Sequence, residues 1–242
     1  MLSSNSLSDV FVELADTLVD DFDLLEFLHN LTRHAAAVAE SPAVGILLSD
    51  LRGGLSHVAA SSERAETLEL LQLQHDEGPC VDCYRSGRQV TEPDIGADPD
   101  RWAAFSARAI EAGIGTVHAF PMRLREEVVG ALNVFGLPGA TLQPEKARVV
   151  QALADVATIA ILQERAISRA EALAEQLQYA LNSRVVIEQA KGAVSRAAGI
   201  TVDEAFELLR AQARRSRSKL TVVARRVLDD PKALDALAGH LD

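Results

Sequence analysis

One stretch of the sequence, from Glu145 to Lys191, contains neither glycine nor proline and is rich in alanine, leucine, glutamine and glutamate. These residue types favour the α-helix, and the two residues that interrupt helices most strongly are missing. A single helix over these 47 residues would be roughly 70 Å long at 1.5 Å per residue. Such a helix is too long to be covered by one small domain, so we expect a chain with more than one structural part.

Nonpolar residues recur along this helix at alternating three- and four-residue steps, the spacing of a coiled-coil seam. Only one residue of the seam is polar. The seam contains many alanines, however, which predicts a weak coiled coil, so a homodimer needs other contacts as well. As far as about Leu162, an alternative stays open in which the helix lies on the sheet of its own domain. The seam residues are Leu153, Val156, Ala160, Gln163, Ile167, Ala170, Ala174, Leu177 and Leu181.

The residues before the long helix change in character at Pro42. Residues 7–39 carry nonpolar side chains at three- and four-residue steps, which predicts an N-terminal helix. Helical patterns at 68–74 and 102–112 then interrupt a series of β-rich runs without a regular alternation of strand and helix. This mixture favours an α+β fold with an antiparallel sheet, in a domain over residues 1–165. The β-rich runs are 44–48, 57–60, 89–91, 116–122 and 128–135.

The end of the chain has clear helix boundaries. Gly199 ends the long helix, and Thr201 and Glu204 match a capping box that begins a second helix. Ser218 is a candidate cap for a third helix, which Pro231 ends. Because short amphipathic helices bury their nonpolar stripes against one another, we expect a compact helical bundle.

Charge is distributed unevenly along the 242 residues. A net charge of −11 disfavours a nucleic-acid binder if it is evenly spread. Residues 1–175 hold 13 lysines and arginines against 27 aspartates and glutamates, whereas residues 176–242 hold 11 against 8. Between Arg184 and Arg226 the ratio is 10 to 4. An acidic body therefore carries a small basic module at its end.

The sequence also indicates the cellular compartment of the protein. No nonpolar run approaches the roughly 18 to 20 residues that a bilayer requires. The segment Met1–Val10 lacks the pattern of a secretory signal, and two cysteines are too few for a disulfide framework. We therefore expect a soluble, cytoplasmic protein without membrane contact.

The basic module carries a set of residues at a characteristic spacing. In residue type and spacing this set resembles the ANTAR domain, the RNA-binding module of bacterial transcription antiterminators, over roughly residues 178–230. The residues are Arg184, Ile187, Gln189, Ala190, Lys191, Gly192, Gly199, Ala205, Phe206, Leu209, Arg210, Ala213, Lys219, Leu220, Val223 and Ala224.

A second set of motifs lies upstream, within about residues 20–165. These motifs resemble a GAF sensor domain of the kind joined to ANTAR in actinobacterial proteins. The two resemblances occur in the usual order, and each therefore supports the other. The upstream motifs are Glu77-Gly78-Pro79-Cys80, Gly87, Asp94, Trp102, Phe105, Gly113, Pro121 and Gly130-Ala131-Leu132-Asn133.

The two resemblances together imply a transcription antitermination regulator. They imply a GAF-like antiparallel sheet with flanking helices over 1–165, a long connecting coiled-coil helix over 145–182 and a three-helix ANTAR bundle over 178–242. In the family, ANTAR dimers bind paired RNA stem-loops that overlap a terminator, so that polymerase continues. The expected partners are therefore RNA, a second copy of the chain and an unidentified small molecule at the GAF domain. The expected RNA-binding residues are Arg184, Gln189, Lys191, Gly192, Arg210, Arg214, Ser218 and Lys219.

The residues themselves fit this role. On a helix, Lys191 shares a face with Arg184 and lies away from Ala190, so we expect it to face solvent rather than pack. Gly192 costs roughly 1 kcal/mol of helix stability relative to alanine, which is tolerable where a backbone or a nucleic acid comes close. The arginines suit phosphate oxygens and can stack on unpaired bases.

Two features depart from the simplest version of this role. The family commonly continues after the Lys-Gly pair with a large apolar residue and methionine, whereas Ala193-Val194-Ser195 follows here. The module also has few aromatic residues for stacking on bases, namely Tyr179 and Phe206. We assign Phe206 to the core, so arginine would have to substitute for it.

Two alternatives to RNA binding stay open. Residues 203–213 and 220–228 are candidates for a DNA-binding helix-turn-helix, although the turn Arg214–Lys219 is longer than the usual three or four residues and lacks glycine. In the other alternative the basic turn is only a solvated surface. The chain is then a ligand- or redox-sensing GAF protein that does not bind RNA.

The two cysteines, Cys80 and Cys83, have the spacing Cys-x-x-Cys. A zinc site needs about four ligands, and no second pair exists. A GAF-type methionine sulfoxide reductase is an enzymatic alternative, although such enzymes carry more cysteines in a different pattern. We expect Cys80, Cys83 and Trp102 to belong to a sensor pocket, and we expect no catalytic residues, no metal and no cofactor.

Overall fold

The structure is a computed structural model that describes residues 10, 12–14, 23–50, 53–98 and 100–239. It divides into two compact units, Met1–Arg165 and Ala166–Asp242. The helix expected over residues 7–39 is helical at positions 10, 12–14 and 24–39, and its other positions before residue 23 lie outside the described residues.

The first unit is built on a five-stranded antiparallel sheet with the strand order β2-β1-β5-β4-β3. A tight turn through Arg125, whose φ is 55°, joins the two longest strands as the expected hairpin. These elements confirm the predicted α+β fold with an antiparallel sheet. The strands are β1 (Ala43–Ser49), β2 (Leu55–Ala60), β3 (Val90–Glu92), β4 (Thr116–Leu124) and β5 (Glu127–Gly136).

Helices cover both faces of this sheet, so the inner strand β1 is buried along its whole length. Alternate residues of β1 point to opposite faces: Val44, Ile46 and Leu48 pack in one hydrophobic cluster, whereas Ala43 and Leu47 pack in two others. The helices of this unit are α1 (Leu24–Ala39), α2 (Glu63–His75), α3 (Pro79–Ser86), α4 (Ala103–Glu111) and the beginning of α5 (Pro144–Ala198).

The long helix α5 has 55 residues and confirms the helix predicted from the absence of glycine and proline. Gly199 follows it with a φ of 66°, as a terminating glycine should. Its first part packs in the core of the first unit through Leu153, Ala160 and Ile161. The alternative that placed this part of the helix on its own sheet is therefore confirmed. Beyond Leu162 most side chains are exposed as far as Gln189.

The second unit packs the end of α5 against α6 (Val202–Arg215), α7 (Leu220–Asp229) and α8 (Pro231–Ala238). The predicted capping box begins α6: the Thr201 N–H donates to Glu204 Oε2 at 2.8 Å, and the Glu204 N–H donates to Thr201 Oγ1 at 3.3 Å. The shared core includes Ala190, Val194, Ala205, Leu209, Val223, Ala224, Val227 and Leu237.

One expectation for the second unit was wrong, and one helix was not expected. Ser218 does not cap α7, because the cap position is Lys219 and no side chain caps that end. Pro231 follows the end of α7 as expected, and it also begins an unexpected further helix, α8, whose Leu237 is buried in the core. Proline suits this position because the first turn of a helix needs no N–H donor there.

None of the helices in the described residues combines the length and nonpolar composition needed to cross a bilayer.

Candidate nucleic-acid interface

The second unit brings two cations together around one aromatic ring. The Nζ of Lys191, on α5, lies 5.3 Å from the centroid of the Phe206 ring, and the Cζ of Arg210, on α6, lies 5.6 Å from the same centroid. Both distances are within the range of cation–π attraction. We call these three residues the cation–aromatic cluster.

Each cation of the cluster is paired with an acid one helical turn earlier. The Lys191 amine donates to both carboxylate oxygens of Glu188 at 3.0 Å, and Arg210 donates to Glu207 at 2.9 Å. The two carboxylate side chains are 55% and 64% exposed. An exposed pair such as Arg210–Glu207 contributes at most about 1 kcal/mol, so a phosphate group can replace that carboxylate at small cost.

The structure corrects the expected environments of the Lys191 and Phe206 side chains. We expected Lys191 to face solvent rather than pack, but its side chain packs near Phe206 and is 14% exposed. Its amine nevertheless meets an exposed carboxylate. Phe206, which we assigned to the core, is half-buried beside the two cations. The Phe206 ring is therefore part of the cation–aromatic cluster and not of the buried core.

The other residues expected to bind RNA are exposed. Arg184 precedes Lys191 by about two turns on the same face of α5, and Arg214 follows Arg210 by about one turn on α6. Gln189 lies on α5, and Ser218 and Lys219 lie in the turn before α7. Within the described part of the chain, Arg184, Arg214 and Lys219 form no ion pair. Their charge is open to an external anion.

Gly192 is exposed on α5, and a Cβ built on it meets no atom of another segment within 4 Å. No other backbone of the described chain therefore explains the glycine by close approach. The residue borders an open groove with Gln189, Arg196 and Leu234.

The turn between α6 and α7 is shorter than the sequence suggested. Because α6 extends to Arg215, the turn contains four residues, Ser216–Lys219. Arg217 adopts a φ of 49°, the left-handed conformation that glycine often supplies. The length of the turn therefore does not argue against a DNA-binding helix-turn-helix.

The expected sensor-pocket cysteines lie on α3, a helix that the sequence analysis missed. The Sγ atoms of Cys80 and Cys83 lie 4.0 and 3.4 Å from the carbonyl oxygens of Ala131 and Ala119. Burial raises the pKa of the Cys83 thiol to about 12. Burial, together with the nearby Glu69, raises the pKa of the Cys80 thiol well above its ordinary value. Both thiols are thus held in the form that is a poor nucleophile and a poor metal ligand.

Trp102 lies next to the same helix, so the structure brings the three expected residues into one region. The indole N–H of Trp102 donates to Asp82 at 3.0 Å, and Trp102 is 7% exposed. The carboxylate of Glu77 accepts the backbone N–H groups of Ala104 and Phe105 at 2.7 and 3.1 Å. The Glu-Gly-Pro-Cys motif therefore anchors the start of α4 and fills the core.

A buried polar cluster beside Cys80 was not expected from the sequence. The Glu69 carboxylate accepts the side-chain amide N–H groups of Asn133 at 2.7 Å and Gln72 at 2.9 Å. Burial raises the pKa of Glu69 to about 8, against the lowering effect of those hydrogen bonds. Within the described residues, no group of three or more His, Cys, Asp or Glu side chains is arranged to hold a metal ion.

Comparisons with known families confirm the resemblance and its order. The GAF domain family matches residues 7–162, and the ANTAR domain family matches residues 175–228. A comparison with curated proteins finds no match.

Solved structures share the fold of the first unit. The chain is similar to the GAF domain of a phosphoenolpyruvate-protein phosphotransferase from Acinetobacter, with a TM-score of 0.54 and 15% identity over 69% of this chain and 99% of that one. The corresponding domain from Coxiella burnetii gives a TM-score of 0.55 and 15% identity over 67% and 96%. A free methionine-R-sulfoxide reductase from Neisseria meningitidis gives 0.50 and 17% over 67% and 92%. At these identities the likeness concerns the fold alone.

Proposed function

Because the chain belongs to the GAF domain family and continues into an ANTAR domain, we propose that it is a transcription antitermination regulator that binds RNA stem-loops under the control of its GAF domain. In this proposal the GAF domain over residues 1–165 senses a signal, and the ANTAR domain over residues 178–242 binds RNA. The long helix over residues 145–182 connects the two domains. The protein acts in the cytoplasm, where nascent transcripts are. It has no catalytic role, and the buried thiols of Cys80 and Cys83 support that assignment.

The cation–aromatic cluster is the observation that carries the proposal. Lys191 and Arg210 come from different helices, and both lie near the half-buried ring of Phe206. The carboxylates that hold the two cations in the free protein are exposed. An RNA phosphate brings the same charge and a similar acceptor geometry, so it can take their place. Arg184, Arg214 and Lys219 extend the basic surface on either side.

The proposal also includes a homodimer, in which a second copy of the chain pairs with the first. Beyond the first domain, α5 exposes aliphatic side chains that no described part of the unit covers, including Ile167 (46%), Leu177 (57%) and Leu181 (60%). These three residues belong to the predicted seam. A parallel pair of helices buries them and presents two RNA-binding modules to paired stem-loops.

The RNA affinity of single variants tests the function. We expect Lys191→Ala and Arg210→Ala each to weaken binding of a tandem stem-loop RNA by about tenfold, because each removes a charge-assisted hydrogen bond. Arg148→Ala is the matched control, since Arg148 also forms an exposed pair with an acid three residues earlier. Circular dichroism checks that the helices are retained.

Equal affinity of all four proteins for the RNA contradicts the proposed site. A wild-type protein that does not bind the RNA favours the alternative of a sensing protein whose basic end is a solvated surface. Equal affinity for duplex DNA of the same length favours the helix-turn-helix alternative.

A further inference from the structure

A second groove lies in the carboxy-terminal unit, between the last part of α5 and helix α7. It encloses about 320 Å³. Tyr179, Asn182 and Ser183 line it on the α5 side, and Thr221, Arg225 and Arg226 line it on the α7 side. Neither the sequence motifs nor the cation–aromatic cluster accounts for these residues as a group.

The groove carries uncompensated positive charge. No aspartate or glutamate lines it, and Arg225 and Arg226 form no ion pair with any acid among the described residues. Lys191 and Arg210, in contrast, are each neutralised by an exposed carboxylate. An anion that enters the groove therefore meets two guanidinium groups without displacing an acid first.

The side chains in the groove match the parts of an unpaired nucleotide. Tyr179 is 61% exposed as a residue, which leaves its ring open to stacking by a planar base. The Asn182 amide and the hydroxyls of Ser183 and Thr221 offer both donors and acceptors for a base edge or a ribose. The arginines supply the phosphate contact.

The groove lies on a different side of α5 from Lys191. Asn182 and Lys191 are nine residues apart, and at about 100° per residue their side chains point in opposite directions from the helix axis. A single RNA loop seated on Lys191 and Arg210 therefore does not fill the groove at the same time. The groove needs another part of the RNA.

We propose that this groove binds an unpaired nucleotide of the RNA strand flanking the stem-loop, with its base on Tyr179 and its phosphate on Arg225 and Arg226. The inference rests on the proposed function and adds a second contact to it. Single-stranded RNA suits the site because its bases are free to stack, whereas the bases of an A-form duplex are hard to reach.

Two RNAs test this assignment with the full-length protein. One is a tandem stem-loop without flanking nucleotides, and the other carries a single-stranded extension of several nucleotides. We expect Tyr179→Ala to weaken binding of the extended RNA by about tenfold and to leave binding of the unextended RNA unchanged. The double variant Arg225→Ala/Arg226→Ala should behave in the same way.

The controls separate stacking from folding and dimerisation. Tyr179→Phe keeps the ring and should retain the wild-type affinity for the extended RNA. Arg148→Ala removes an exposed arginine elsewhere and should have no effect. Sedimentation should give the same molecular mass for every variant.

The possible results distinguish the two proposals. If Tyr179→Ala loses affinity for both RNAs equally, or loses affinity for neither, the proposed second contact is overturned. Binding of free AMP as tight as that of the extended RNA also overturns it, because the groove is then a mononucleotide site. Failure of the wild-type protein to bind even the unextended RNA overturns the proposed function itself.

Discussion

Glu69 illustrates how a single residue depends on distant parts of the chain. Its carboxylate is fully buried and is held by Asn133, which lies 64 positions further along the sequence. A Cβ on Gly45 would lie 2.4 Å from Glu69 Oε1, so the glycine makes room for the carboxylate beside the sheet. The local pattern of α2 contains no sign of this burial. Sequence reasoning missed Glu69 because its environment is built by residues from two other elements.

Glu69 makes the stability of the first domain depend on pH. Its pKa is about 8 in the folded domain and near its ordinary value of 4.5 in the unfolded chain. Between these values the folded domain retains a proton that the unfolded chain releases, so the contribution of Glu69 to stability falls as pH rises towards 8. The limiting slope is about 1.4 kcal/mol per pH unit. Above pH 8 both states are ionised and the slope disappears.

Urea unfolding of wild-type protein and Glu69→Gln at pH 5.5, 6.5 and 7.5 measures this effect. We expect the stability of the wild type to fall relative to the variant as pH rises, because glutamine does not ionise. The difference between the two proteins cancels the titration of other groups, and the raised pKa of the neighbouring Cys80 keeps that thiol neutral in this range. Parallel stability curves would show that Glu69 does not retain its proton.

Among the helices and strands, those with strong local signals were predicted well. The absence of glycine and proline predicted α5, the Thr201–Glu204 capping box predicted α6, and the short β-rich runs predicted the strands. The eight-residue helices α3 and α8 were missed. Each begins with a proline, at Pro79 and Pro231, and Pro231 both follows the end of α7 and begins α8. Proline in the first turn was the signal that could have found both helices.

Gly192 provides a test at the level of one helix. In the open environment around Gly192, alanine should fit without strain, so we expect Gly192→Ala to stabilise the carboxy-terminal unit by about 1 kcal/mol. We also expect it to weaken RNA binding, because the added methyl group keeps the RNA away from the helix backbone. Thermal unfolding and RNA titration of the same preparation measure the two effects. Greater stability with unchanged RNA affinity would remove Gly192 from the interface.

At the scale of the whole molecule, the exposed aliphatic side chains of α5 predict a homodimer. Leu177→Asp and Leu181→Asp should shift the protein to monomers in sedimentation equilibrium, since each places a charge in the seam. Both side chains are more than half exposed, so neither change should unfold a unit. Leu70→Asp is the control, because Leu70 is 50% exposed on α2, outside the seam. A monomeric wild type, or dimers that persist in both seam variants, would contradict the dimer.

The order of a GAF domain and an ANTAR domain was accessible from the sequence because charge and motifs are properties of composition and spacing. The contacts within the interface were not. That Phe206 lies beside Lys191 and Arg210 depends on how α5 packs against α6, and periodicity alone assigned Phe206 to the core. The pairing of both cations with acids was visible as two i, i+3 spacings, Glu188–Lys191 and Glu207–Arg210.

The salt dependence of RNA binding tests the central claim most directly. If the carboxy-terminal module binds phosphates through its cations, the logarithm of the association constant of the full chain should fall linearly with the logarithm of salt concentration. Each phosphate contact contributes roughly 0.7 to 0.9 to the slope. We expect the double variant Lys191→Ala/Arg210→Ala to have a slope smaller than the wild type by about 1.5. Identical slopes for the two proteins would contradict the claim that these two side chains hold RNA.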